Sequence, residues 1–245
     1  MPLLPLPPFR VVLSAPELAS FLASFRPRSS ALYLKGLGNK LGKSDGTLAL
    51  LTVLVHPTAP TTGQPTDTTS PALPTPAIID LNALGSAAFT TPIPSLHAAA
   101  TTVRPDETQT LGSLLQNPRV LKYLWGLTPD VVALQQHHGQ SLAGAIDLQL
   151  LERAAWPDGG AQNTLSGLDQ RVKQDLGLDP AECKSWANAK KVVRKKLWQR
   201  WLVNRPLRDE VASYCAGDVM YMPRLRDLYG ARVNEERWES VVKES

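Results

Sequence analysis

Apolar positions along this chain follow two rhythms, one belonging to helices and one to buried strands. Ser14-Ala15-Pro16-Glu17 has the form of a capping box, with Ser at the N-cap and Glu at the third helical position. Leu18, Phe21, Leu22 and Phe25 follow at helical spacing. Three later runs, Ala31 to Leu34, Leu48 to Val55 and Ala77 to Leu81, are almost continuously apolar, the pattern of strands covered on both faces by helices. Between the second and third lies Pro57 to Pro76, built mostly of Pro, Thr, Gly and Ser. Such a stretch cannot bury enough apolar surface to offset the entropy of ordering it, so it is expected to be a mobile surface loop inserted in a hairpin. Thr91 to Thr108 is a second polar connection, and a helix is expected from near Thr110 through Leu114 and Leu115 towards Pro118. From Leu148 onward the spacing is mostly helical, with turn signals at Pro157-Asp158-Gly159-Gly160 and Gly177-Leu178-Asp179-Pro180. The final segment, 234–245, is largely charged and is expected to fray as a tail beyond a domain spanning residues 10–233.

Composition narrows the class without naming a function. A chain of 245 residues can build one large α/β domain with a real core, or two small ones. Its two cysteines, Cys183 and Cys215, give neither a disulfide framework nor metal-ligand spacing, which suits a reducing compartment such as cytoplasm or nucleus. The opening residues are apolar but broken by prolines, so neither a signal peptide nor a membrane span is expected there. A net charge of +4 is compatible with nucleic acid and is also ordinary for a water-soluble domain.

Tyr214 and Asp218 stand four residues apart and so share one face of a helix. Around them run Arg205-Pro206-Leu207, Val211-Ala212-Ser213-Tyr214-Cys215-Ala216-Gly217-Asp218-Val219 and Pro223-Arg224-Leu225. This stretch resembles the third motif of the DEDDy 3′-to-5′ exonucleases, the RNase D-like branch of the RNase H-like superfamily. Further upstream, Lys122-Tyr123-Leu124-Trp125-Gly126-Leu127-Thr128-Pro129-Asp130 followed by Leu134 is similar to the second motif, with Asp130 as its ligand. Gly144-Ala145-Ile146-Asp147-Leu148-Gln149 matches the strand-to-helix segment after it. The opening motif is altered. Leu32-Tyr33-Leu34 before it, and Gly38, Leu41 and Gly46-Thr47-Leu48 after it, fix the register, so that Lys35 falls where the family has Asp and Leu37 where it has Glu. No Asp-x-Glu occurs anywhere in the chain. Order and spacing together make the resemblance specific over roughly Leu13 to Tyr229, and its style is similar to fungal exonuclease-domain proteins.

The resemblance implies an α/β fold with a central mixed sheet of about five strands flanked by helices. In such enzymes two divalent ions about 4 Å apart are held by four carboxylates, one ion helping to generate hydroxide and the other stabilising the leaving oxygen. Here Lys35 would place a cation where a dication belongs, and Leu37 deletes an oxygen donor that hard Mg²⁺ requires. The expectation is a pseudo-exonuclease that needs no cofactor, with Tyr214, Asp218 and Asp130 as retained positions and the Lys35 ammonium near Asp130 or Asp218. Single-stranded nucleic acid, RNA rather than DNA, is the expected partner, with a protein partner or a second copy also open. Two other readings stand beside it. One is a working exonuclease using Mg²⁺ or Mn²⁺ with replacement ligands such as Asp45 or Asp80; the other is a protein-interaction module without nucleic acid.

Each residue has a structural reading as well. Asp130 would follow Thr128 as N-cap and Pro129 as first helical residue, where the helix dipole favours a carboxylate without metal. Tyr214 could be a core aromatic, Asp218 a solvated helix residue and Lys35 a strand-end lysine reaching into water. His137-His138 before Gly139 reads as a polar C-terminal turn, since adjacent side chains on a helix point to different faces. Lys190, Lys191, Arg194, Lys195, Lys196 and Arg200 form a basic cluster interleaved with tryptophans. With Val193, Leu197 and Trp201 on one apolar face, the cluster is either the solvated side of an amphipathic helix or a phosphate-tracking surface.

Overall fold

In the computed structural model the described residues are 8–26, 29–58, 74–94, 109–156, 165–178, 181, 184, 190–191, 193, 202 and 204–245. The strands are β1 (Arg10–Val12), β2 (Ser30–Leu37), β3 (Leu50–Pro57), β4 (Ala77–Asp80), β5 (Lys122–Leu124) and β6 (Ala145–Asp147). They form one six-stranded sheet in the order β1-β4-β3-β2-β5-β6. Pairing is antiparallel within β2-β3-β4 and parallel for β1 with β4, β2 with β5 and β5 with β6. Among the described residues the sheet therefore has six strands, in keeping with the mixed sheet of about five that was expected. The additional one, β1, is three residues long and registers Arg10 against Ala77; so short a run carries no readable alternation.

Alternate residues of β2 divide the core, because successive strand side chains point to opposite faces. Leu32 and Leu34 join an apolar cluster with Leu18 and Leu22 of α1 (Ala15–Leu22), Phe89 of α3 (Ala87–Thr90), Leu111 and Leu114 of α4 (Leu111–Gln116), and Leu134 of α5 (Leu127–His138). The short α2 (Leu81–Leu84) caps the end of β4 on the same layer. Ala31 and Tyr33 face the other way, towards α6 (Leu148–Ala155), α7 (Leu168–Asp175), α9 (Met222–Gly230) and α10 (Glu235–Glu244). A third cluster packs Leu50 and Ile78 against α8 (Asp209–Met220).

Several boundaries follow from side chains that cap helices. The capping box at Ser14 and Glu17 opens α1, and Thr110 opens α4 by accepting from Ser113 N. β4 ends at Asp80, one residue earlier than expected, because Asp80 accepts from Asn82 N at 3.1 Å and Ala83 N at 3.0 Å and so starts α2. Residues 234–245, expected to fray, are instead helical: the Asn234 side chain accepts from Arg237 N at 3.0 Å, and Val241, only 3% exposed, packs with Trp238 into the α6–α9 layer. Most of the Pro57–Pro76 and Thr91–Thr108 connections lies outside the described residues, as does the Pro157–Gly160 turn.

Lys122, at the head of β5, is fully buried. Its ammonium donates to Asn117 O at 2.5 Å and Ala143 O at 2.6 Å, tying the entry of β5 to the connection that precedes β6. Burial pushes its pKa down to about 8.

Candidate functional site

The site grows from the way β2 ends. β5 pairs with β2 only at Leu32 and Tyr33, so the last residues of β2 have no strand beside them on that edge. The open position is filled by a helix side chain. Gly36 N donates to Asp130 Oδ1 at 2.5 Å, while Lys35 Nζ lies 2.7 Å from Asp130 Oδ2. Glycine is required for that approach, since a Cβ at position 36 would stand 2.9 Å from Asp130 Oδ1 and 2.8 Å from Leu48 Cδ1.

Asp130 is the fourth residue of α5, which begins at Leu127; Thr128 is not its N-cap. Asp147 explains the difference. Its carboxylate accepts from Gly126 N at 3.0 Å, Leu127 N at 2.8 Å and Gln149 N at 2.8 Å, so one side chain holds the starts of both α5 and α6. Gly126 takes a left-handed φ of 71° to allow this turn. Asp130 is 1% exposed, against 25% for the Lys35 side chain. Burial pushes the Asp130 carboxyl upward, and the Lys35 ammonium and Gly36 N–H pull it back.

Tyr214 and Asp218 lie on α8, which packs on β2 and β3 and is buried from Val211 to Val219. Asp218, 4% exposed, is therefore not a solvated helix residue. Lys190 Nζ stands 3.9 Å from its Oδ1 and 3.5 Å from Asp169 Oδ1 on α7. This corrects the reading of Lys190 as part of a solvated basic face: it is 7% exposed. The signal was in the spacing, for Lys190 precedes Val193 by three residues and shares its inward face, and Val193 is fully buried. Lys191 is exposed; Arg194, Lys195, Lys196 and Arg200, with Leu197 and Trp201, lie outside the described residues.

Leu37 packs against the cluster that holds Leu50, Ile78 and Tyr214, so its side chain is part of an apolar contact. The two candidate replacement ligands are engaged elsewhere. Asp45 is exposed in the turn after β2 and pairs with Lys40. Asp80 is fully buried, caps α2 and pairs with Arg205 Nε of the Arg205-Pro206-Leu207 run. His138 Nε2 lies 3.3 Å from Leu48 O and its ring packs on Phe89, a structural setting at the end of α5. Among the described residues no group of three or more His, Cys, Asp or Glu side chains is arranged to hold a metal ion. Two carboxylates, each with an ammonium beside it, are a poor fit to a pair of hard dications, which need several anionic oxygens.

A mixed sheet covered by helices on both faces, with a Tyr-x-x-x-Asp helix packed on its central strands, defines an RNase H-like exonuclease fold of the RNase D type. Residues 82–229 match the family model described as 3′-5′ exonuclease, and the chain belongs to that family. It is 27% identical over 132 residues to Ribonuclease D of Haemophilus influenzae, a match that covers 54% of this chain and 29% of that enzyme. Among solved structures, RNase D of Trypanosoma brucei in complex with RNA U12 superposes with a TM-score of 0.62 at 19% identity, covering 97% of this chain and 68% of that one. RNase D of Escherichia coli, described as an exoribonuclease involved in structured RNA processing, gives a TM-score of 0.58 at 17% identity, covering 96% and 48%. Among the described residues no helix is long and apolar enough to cross a membrane.

Proposed function

We propose that this chain is a degenerate RNase D-like domain, of DEDDy descent, that binds single-stranded RNA without hydrolysing it. The observation that carries the reading is the Lys35 ammonium seated 2.7 Å from Asp130. A divalent ion at that carboxylate would stand against a fixed positive charge, with Leu37 offering no oxygen in compensation. Asp130, Tyr214 and Asp218 are then retained positions serving the fold, and Asp45 and Asp80 are held by contacts of their own. The Trypanosoma relative solved with RNA supports RNA as the ligand class. Lys191, Arg194, Lys195, Lys196 and Arg200 are proposed to track its phosphates, a role in which Lys190 has no part.

The test is incubation of purified protein with 5′-labelled single-stranded RNA in Mg²⁺ or Mn²⁺, followed on a gel and by anisotropy. The RNA is expected to be bound and to stay full length, and binding is expected to weaken with salt and with Glu at Lys191, Arg194, Lys195 and Lys196. Stepwise shortening that disappears in chelator and in Asp218→Ala would overturn the loss of hydrolysis. Absence of binding at low salt would leave the domain as a protein-interaction module.

A further inference from the structure

The pair Lys35 and Asp130 occupies a particular place in the sheet. From β2 the chain turns to β3 on one side, whereas from β5 it passes through α5 to β6 on the other. The neighbouring strands β2 and β5 run parallel, so their C-terminal ends open a crevice from which the connections diverge. In open α/β sheets ligands seat at such a reversal point, outside the carboxyl ends of the strands. Lys35 comes from the end of β2 and Asp130 from the helix after β5, one from each lip.

The two charges are not presented equally. Both oxygens of Asp130 accept from internal donors, Lys35 Nζ and Gly36 N, and the residue is 1% exposed. Lys35 is a quarter exposed, and an ammonium has three N–H groups, of which Asp130 takes one. Of the pair, the lysine is therefore the partner whose side chain reaches solvent. Leu37, packed nearby with Tyr214, lines the end of β2 with apolar surface, where a charge-assisted hydrogen bond is stronger than in open water.

We infer that Lys35 is a phosphate ligand: a phosphate group of bound RNA is held in this crevice by a protein ammonium, with no divalent ion taking part. The inference rests on the RNA-binding reading above and adds where one phosphate sits and what neutralises it. Asp130 acts through Lys35 as a positioning residue, fixing the ammonium at the lip.

The experiment is anisotropy of a fluorescent oligouridine 12-mer with the 245-residue chain, in EDTA and in Mg²⁺. Wild type is expected to bind equally in both. Lys35→Met is expected to lose about tenfold in affinity and Lys35→Arg to keep most of it. Because Lys35→Met strands a buried carboxylate, the same loss is to be read in Lys35→Met combined with Asp130→Asn, whose fold is checked by circular dichroism. Wild-type binding that is unchanged in the double variant, or that collapses in EDTA, overturns the inference while leaving RNA binding in place. No binding by wild type at low salt overturns both.

Discussion

Lys35 and Asp130 form a pair in which one partner is hidden and the other is not, and that asymmetry sets its energetics. Removing the ammonium leaves a carboxylate that is 1% exposed without its counter-charge. Breaking a buried pair from one side typically costs about 3–5 kcal/mol; since Lys35 is a quarter exposed, Lys35→Met is expected to cost about 2–3 kcal/mol. Adding Asp130→Asn removes the stranded charge and is expected to restore most of that loss. Urea unfolding of the four proteins in a double-mutant cycle measures it, and independent, additive effects would refute the coupling. The assignment of Lys35 and Leu37 to ligand positions is a reading from register, carried by the apolar landmarks that flank them on both sides. Which of two carboxylates Lys35 would meet could not be read that way, since Asp130 and Asp218 are both far from it along the chain and only the fold brings one of them near. Lys190 was misassigned because neighbouring lysines at 190 and 191 look alike in sequence, while the helical turn sends one inward to Asp218 and leaves the other in water.

Helices announced themselves where the capping chemistry is local. Ser14 with Glu17, and Thr110 with Ser113, sit within three residues of the groups they satisfy, so α1 and α4 were legible. The start of α5 was not, because its cap is Asp147, brought to Gly126 and Leu127 only by the pairing of β5 with β6. Lys122 shows the same dependence on tertiary context, and it titrates. Its folded pKa of about 8 lies below the 10.5 of an unperturbed lysine, so between those values the unfolded chain holds a proton that the folded chain has released. Its contribution to stability therefore rises with pH through that window, by up to about 3 kcal/mol. Chemical unfolding across this range is expected to show wild type gaining on Lys122→Met as pH rises; parallel curves would contradict it.

At the scale of the whole molecule, metal binding and folding are linked. A ligand that binds only the folded state raises the melting temperature in proportion to RT ln(1 + [L]/Kd). Wild type is expected to melt within about 1 °C in EDTA and in about 10 mM Mg²⁺, whereas Lys35→Asp with Leu37→Glu, which supplies two further carboxylates, is expected to gain about 3 °C or more from the ion. A wild-type shift as large as the variant's would mean that the native side chains already hold the metal. The fold class was accessible because apolar strands and amphipathic helices alternate over the described chain; the sixth strand escaped because only pairing with β4 makes Arg10–Val12 a strand. The Gly36 amide resting on Asp130 has one more implication. An aspartate that finishes a sheet margin would be kept by any lineage that needs this architecture, with or without chemistry. Retention of such an aspartate is therefore no measure of catalysis by itself, because the sheet margin has its own use for the carboxylate.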